Sequence, residues 1–174
     1  NASNYDSTAI IDDGSCIYAV APLFFSEHAD GDGFNRYFEI FNPTSDTVII
    51  DDSAWARVGG NPTTVGVYET WNDFAPGAVI LPNDIYIVAH SNSDAFIINQ
   101  ADMTSQLLSN GDDGLALVHG DEPLTPTHPD SGLYTILDWI GDWNGDPGTG
   151  WDVAGISAGT ANHSLVRKCE VMMG

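Results

Sequence analysis

The acidic residues of this chain are almost all aspartate, with 20 Asp and five Glu among 174 residues. Aspartate disfavours helix interiors, because its short side chain competes for backbone hydrogen bonds, and it favours turns and helix caps. Eighteen glycines and nine prolines add further turn signals. A chain interrupted this often can form many short strands but few long helices. We therefore predict an all-β fold.

Apolar runs of strand length recur between the turn signals from Leu23 onward. Their number and shortness predict a β-sandwich or a barrel. Segment 94–108 starts with Asp and has apolar residues at mixed spacing, which predicts one or two short helical turns. The predicted strands are 23–27, 36–41, 47–50, 54–58, 85–89, 115–119, 133–140 and 164–167.

The net charge of −21 limits the possible partners. Nucleic acids and anionic lipid surfaces are bound through clustered Lys and Arg, of which this chain has four in total. Its longest apolar runs also fall short of the ~18 residues that a membrane span needs. We therefore predict no nucleic-acid partner and no membrane insertion. Because 43% of the residues are hydrophobic, the chain is expected to form a packed core.

The first 21 residues differ in composition from the rest. They are polar and turn-rich around a small apolar patch, and they predict a short Asp-rich N-terminal arm. Residues 22–174 are long enough for one domain with its own core. Because the chain starts at Asn1 without Met, we expect it to be a segment of a larger, processed protein.

Two cysteines, Cys16 and Cys169, lie near opposite ends of the chain, and neither belongs to a CxxC pair. In a reducing compartment they would be two inert thiols. Outside the cell they could form one disulfide that closes a long loop. They are therefore the disulfide candidate.

Six blocks, in order along the chain, resemble those of a lamin tail domain. The resemblance covers about residues 22–171 and implies an immunoglobulin-like β-sandwich of the kind found in secreted bacterial proteins beside nucleases, phosphatases and other surface hydrolases. Because the module occurs in secreted proteins, the resemblance also implies an extracellular or cell-surface location. Because the module is not known as a catalyst, the resemblance implies a protein that is not an enzyme. The blocks are 24–28 (FFSEH), 36–43 (RYFEIFNP), 81–88 (LPNDIYIV), 108–117 (LSNGDDGLAL), 136–141 (ILDWIG) and 164–168 (SLVRK).

The arm has a resemblance of its own. Segments 1–6 (NASNYD) and 12–16 (DDGSC) are similar to the end of a short Cys-bounded, Asp-rich repeat of bacterial surface proteins. The leading Gly-Cys portion of that repeat is absent here, which leaves Cys16 without its usual local partner.

Two acidic segments are candidate calcium sites. Asp30, Asp32 and Asn35 offer oxygen ligands at spaced positions, with glycines between them that allow tight turns. An ordinary acidic hairpin turn explains the same residues equally well, since the bidentate Glu of an EF-hand loop is missing. The second candidate is the arm, with Asp6, Asp12 and Asp13.

Three patterns suggest catalysis or metal binding, but each has a structural explanation that we favour. Segment 155–159 (GISAG) matches the GxSxG string around a nucleophilic Ser157, but it lacks the preceding strand and following helix of a hydrolase elbow. Glu27 and Glu39 could form a paired-carboxylate site, yet we expect structural carboxylates held by backbone N–H groups or by an arginine, for which Arg36 or Arg167 could serve. The histidines show no zinc spacing, and those ending strand-like runs are expected to lie at the surface or rim: His28, His90 and His119.

Trp139, Trp143 and Trp151 cluster in a Gly- and Asp-rich stretch. Exposed Trp on a loop could stack on sugar rings, but core packing is the commoner role of such large side chains.

Taken together, the sequence features lead us to expect a non-catalytic accessory module for adhesion, anchoring or positioning of neighbouring domains. The alternative is a carbohydrate-binding module that uses these tryptophans, with a glycan or another surface protein as partner.

Overall fold

The computed structural model of the chain describes residues 22–108 and 110–174. The predicted arm, residues 1–21, lies outside the described residues. One helical turn, α1 (Ala95–Ile98), and a 3-10 turn at Pro129–Ser131 accompany the strands. The strands are β1 (Phe24–Asp30), β2 (Arg36–Phe41), β3 (Val48–Ile49), β4 (Ser53–Val58), β5 (Thr70–Asp73), β6 (Val79–Ile80), β7 (Ile85–His90), β8 (Met103–Ser105), β9 (Gly114–His119), β10 (Thr135–Ile140) and β11 (Ser164–Val166).

Two sheets form the body of the fold. The first sheet has the strand order β11-β1-β2-β7-β8, and the second has the order β10-β9-β4-β5. Strands β3 and β6 form a small separate ribbon. Neighbouring strands are antiparallel except β7 and β8, which are parallel. The prediction of an all-β, sandwich-like fold is confirmed.

All eight predicted strands correspond to strands of the structure. The prediction of one or two short helical turns within 94–108 is confirmed by α1, and Met103–Ser105 of the same segment pairs with β7 as a strand. Strands β5, β6 and β8 were not predicted. They are two to four residues long, too short for an apolar alternation to stand out.

The core lies between the two sheets. Phe38 and Ile40 of the first sheet and Trp55 and Leu117 of the second are fully or almost fully buried in one cluster. The rings of Phe38 and Trp55 meet edge to face, with centroids 5.5 Å apart. Each such side chain contributes roughly 1.5–3 kcal/mol by leaving water. Because side chains alternate along a strand, Glu39 and its neighbours at 37 and 41 point to the outer face of the first sheet.

The outer face of the second sheet is also buried. It presents small side chains, among them Ala54, Ala56 and Ala116, and large aromatic residues cover it. Since alanine has a small side chain, whole aromatic rings from neighbouring strands and loops can pack against the sheet. The aromatic residues of this cover are Tyr68, Trp71, Tyr134, Trp139 and Trp143.

Asn42 ties the end of β2 to the small ribbon. Its side-chain nitrogen donates to the carbonyl oxygens of Asp46, Ile80 and Leu81 at 2.8, 3.0 and 3.1 Å. Its side-chain oxygen accepts from the backbone N–H of Thr44 at 3.0 Å. A fully buried amide with this many partners is a structural residue.

Within residues 22–108 and 110–174, no helix has the length and apolar character that crossing a bilayer requires.

Candidate functional site

A groove of about 530 Å³ opens where the edges of the two sheets meet. β11 is the edge strand of the first sheet, and β10 is the edge strand of the second. A volume of this size falls within the range of small-molecule sites. The walls mix apolar and polar residues: Phe25, Ser26, Glu27, His28, Trp139, Ile140, Gly141, Val153, Ala154, Thr160, Ser164, Leu165, Val166 and Arg167.

An ion pair between Arg167 and Asp138 joins the two sheets beside the groove. Arg167 Nη2 lies 2.6 Å from Asp138 Oδ2, and the carboxylate side chain is only 6% exposed. The same oxygen accepts the backbone N–H of Phe25 at 2.8 Å, and Arg167 Nε donates to the Phe25 carbonyl at 2.9 Å. Asp138 Oδ1 accepts the backbone N–H of Trp139 at 2.8 Å. These bonds hold β1, β10 and β11 in fixed relation, so the groove is preformed.

Two more arginines form similar pairs elsewhere. Arg36 Nε lies 2.9 Å from Asp30 Oδ1, and Arg57 Nε lies 2.7 Å from Asp113 Oδ2. In both pairs the aspartate side chain is nearly buried. All three arginines of the chain are therefore bonded to buried aspartates.

His28 lies on the groove wall in β1 and is largely buried. Burial lowers its pKa from 6.5 to about 4, with a smaller opposing effect from the charge of Asp30. No described residue lies within hydrogen-bond distance of its buried Nδ1. At neutral pH the ring is therefore uncharged, because the cost of burying an imidazolium exceeds the attraction of Asp30.

The three tryptophans of the predicted sugar platform have different surroundings. Trp143 is 1% exposed and packs edge to face on Trp139, with ring centroids 4.9 Å apart. The half-buried Trp151 donates its ring N–H to the Asp113 carbonyl at 2.9 Å. Trp139 is partly exposed and lines the groove. Of the three tryptophans, Trp139 is the one that both is partly exposed and lines the groove, so it is the candidate to carry the alternative function.

The calcium candidate around Asp30 is engaged in protein contacts. Asp30 Oδ2 accepts the backbone N–H groups of Asn162 and Gly111 at 2.9 and 3.2 Å, in addition to the Arg36 bond. The Asn35 amide exchanges hydrogen bonds with Asp94, whereas Asp32 is exposed. Among residues 22–108 and 110–174, no group of three or more His, Cys, Asp or Glu is arranged to hold a metal ion. Calcium binding stays a prediction.

Several predicted residues belong to the arm. Asp6, Asp12, Asp13 and Cys16 lie outside the described residues. Cys169 is exposed, so its side chain is accessible to a partner thiol. The predicted disulfide therefore stays a prediction.

The expected arginine partners of Glu27 and Glu39 are wrong. Arg36 and Arg167 bind Asp30 and Asp138 instead, because those aspartates are nearly buried whereas the glutamates lie on the outer face. Glu27 Oε1 accepts the Tyr37 hydroxyl at 2.6 Å, and Glu39 Oε2 accepts the Ser26 hydroxyl at 3.2 Å.

The surface or rim position expected for the histidines is wrong for His90, which is 4% exposed. Its Nδ1 accepts the backbone N–H of Asn92 at 3.0 Å. Ser157 is exposed in a turn region, where Val153 and Ile156 form an isolated bridge. The strand and helix of a nucleophile elbow do not flank it in this described part of the chain.

Sequence reasoning did not find the groove. The signal available was Asp138, an acidic residue inside the apolar run of β10. A carboxylate at such a position needs a buried partner, and the chain offers few cations. Which of the arginines would reach it depends on the packing of β11, which the sequence does not show.

No family model, no curated protein and no solved structure matches this chain. The resemblance to a lamin tail domain and the resemblance of the arm to a surface-protein repeat therefore rest on the sequence blocks alone.

Replacing Arg167 by methionine should destabilise the fold by about 3 kcal/mol, because the buried Asp138 carboxylate loses its countercharge. The free energy of unfolding in urea measures this effect. Lys168→Met removes a neighbouring exposed charge and should change stability by less than about 0.5 kcal/mol. Equal losses in the two variants would show that the ion pair contributes nothing specific.

His28 should make the protein less stable as the pH falls from 6.5 toward 4. Its folded pKa of about 4 lies below the unfolded value of 6.5, so the unfolded chain binds the proton first. Above pH 6.5 the imidazole is uncharged in both states, so the free energy of unfolding is at its full value. Between pH 6.5 and 4 the proton bound by the unfolded chain lowers that free energy by about 3 kcal/mol. The stability difference between the native chain and His28→Phe, measured by urea unfolding across this pH range, should shift by that amount. Parallel curves would contradict the lowered pKa.

Proposed function

We propose that this chain is a non-catalytic binding module of a larger secreted or surface protein. In this role it anchors or positions its neighbouring domains by holding a ligand in the groove between β10 and β11. The observation that carries the proposal is the preformed groove of about 530 Å³ beside the Arg167–Asp138 pair. The six blocks resembling a secreted lamin tail domain support the extracellular setting.

The geometry favours binding over turnover. The charged groups beside the groove are already bonded to the protein: Asp138 accepts hydrogen bonds on both oxygens, Arg167 donates to Asp138 and to the Phe25 carbonyl, and Glu27 accepts the Tyr37 hydroxyl. His28 also lines the groove, but burial lowers its pKa to about 4, which makes it a weak base at neutral pH. A general acid or base must be free to exchange a proton with substrate. Groups held in this way instead keep the walls rigid, which lowers the entropy cost of binding.

Carbohydrate is the second candidate ligand, favoured by Trp139. Its partly exposed ring lines the groove, and the exposed hydroxyl-bearing Ser164 lines the same groove. An aromatic face with hydrogen-bonding groups beside it suits the apolar and polar faces of a sugar ring.

A groove-filling variant tests the proposal. Ser164 is exposed on the groove wall, so Ser164→Trp should block the groove without removing a packed side chain. Thr135→Trp places the same ring on an exposed β10 position that does not line the groove. Binding is measured on a glycan array and by NMR titration with monosaccharides and short peptides.

Ligand binding that perturbs the 164–167 amides, survives Thr135→Trp and falls at least tenfold in Ser164→Trp would support the proposal. Binding that both variants retain would contradict a role for the groove. Hydrolysis of chromogenic ester, phosphate or glycoside substrates that disappears in Ser157→Ala would overturn the non-catalytic assignment.

Calcium is proposed to stabilise the protein, and the contacts of Asp30 favour the arm residues as its ligands. A divalent ion that binds only the folded chain adds about 2.7 kcal/mol at 100 times its dissociation constant. Melting curves with EDTA, Ca²⁺ and Mg²⁺ at matched ionic strength should show a higher midpoint with Ca²⁺ alone. Asp12→Ala should abolish the shift, whereas Asp32→Ala should preserve it. Coincident curves would rule out a specific site, since general screening does not distinguish the two ions.

A further inference from the structure

A second pocket, of about 230 Å³, lies on the outer face of the first sheet. It is distinct from the groove and shares none of its lining residues. Its apolar side includes Phe96 of α1, whose side chain is 71% exposed, and Ile87 of β7. Its polar side includes Tyr37 and Glu39 of β2 and Gln100.

Of two opposed carboxylates on this sheet face, Glu39 lines the pocket and Glu27 lines the groove. Glu39 in β2 pairs directly with Glu27 in β1, and like charges at directly opposed positions destabilise a sheet. Their hydrogen-bond partners, the hydroxyls of Tyr37 and Ser26, are neutral. Burial, together with the charge of Glu27, raises the pKa of Glu39 above its ordinary value.

The described part of the chain supplies no countercharge to this pair. All three arginines are bonded to aspartates elsewhere, and the single lysine, Lys168, lies beyond β11. The pocket therefore combines an open apolar wall with uncompensated negative charge. A ligand that fits both must carry an apolar stem and a positive head.

We propose that this pocket binds a lysine or arginine side chain of a partner protein. The cationic head lies against Glu39, in the field of Glu27, and the methylene stem packs on Ile87 and Phe96. Long basic side chains bury their stems on apolar surface in this way, and Tyr37 and Phe96 add attraction between cation and ring. A bare metal ion fits less well, because Ca²⁺ takes six to eight oxygen ligands, and the described polar wall offers only the side-chain oxygens of Tyr37, Glu39 and Gln100.

The inference is independent of the groove ligand. It gives the module a second contact surface, selective for a basic partner, on the face formed by β2, β7 and α1. If the groove binds no ligand, the proposal for this pocket is unaffected. If the pocket binds no cation, the proposal for the groove is likewise unaffected.

The probe is Nα-acetyl-lysine methylamide, whose side-chain ammonium is free. The neutral control is the norleucine analogue, which has the same stem length without the charge. NMR titration of the native chain should show saturable shifts of the amides at 37–39 and 96–100 with the lysine compound only. Glu39→Gln and Phe96→Ala should each weaken binding about fivefold, a size expected for one exposed charge or ring contact. Phe96 is exposed, so its replacement leaves the fold intact.

Glu122→Gln is the matched control, because it removes one exposed carboxylate from a loop elsewhere in the chain. It changes the net charge of the protein by the same one unit as Glu39→Gln. It should leave the affinity unchanged. The proposal is overturned if the lysine compound and its norleucine analogue shift the same amides equally. It is also overturned if the shifts spread over the whole acidic surface and Glu122→Gln weakens binding as much as Glu39→Gln.

Discussion

Pairing of arginine with nearly buried aspartate is the interaction on which the rest of this structure depends. A chain with a net charge of −21 can place carboxylates inside only where a cation or several N–H groups compensate them. Arg36, Arg57 and Arg167 each do so at one aspartate. The pairs at Asp30 and Asp138 also collect backbone N–H groups from distant segments, so each one fixes several loops or strands at once.

This use of arginine shapes the surface as much as the interior. Because the three arginines are bonded to aspartates, they do not compensate the opposed Glu27 and Glu39 on the outer face of the first sheet. The groove arises from the same arrangement, because the Arg167–Asp138 pair joins the sheet edges at one point while they stay open alongside. Both candidate binding surfaces are thus consequences of where three guanidinium groups are placed.

The sequence was sufficient to predict most strands, because strand-length apolar runs between Gly, Pro and Asp signals are a local property. It was insufficient for β8, whose pairing with β7 depends on the turn made by α1. The candidate sites depended even more on tertiary contacts. Trp139 and Trp143 are four residues apart in the same Gly- and Asp-rich stretch of the sequence. Nevertheless, the side chain of Trp143 is buried, whereas that of Trp139 lines the groove. Likewise, Glu39 and Asp138 both interrupt apolar strands, and only the packing of β11 decides which receives an arginine.

The side chain of Asp138 also acts on the free edge of its own sheet. β10 is an edge strand with a bulge between Ile136 and Asp138, and the bulge lies beside the Trp139 N–H, which Asp138 Oδ1 accepts. An unpaired edge with free N–H groups is a template for strand addition by another copy and hence for aggregation. Here a bulge and an occupied N–H interrupt that template at its centre. Strand addition by a second copy along β10 is therefore opposed at the middle of that strand.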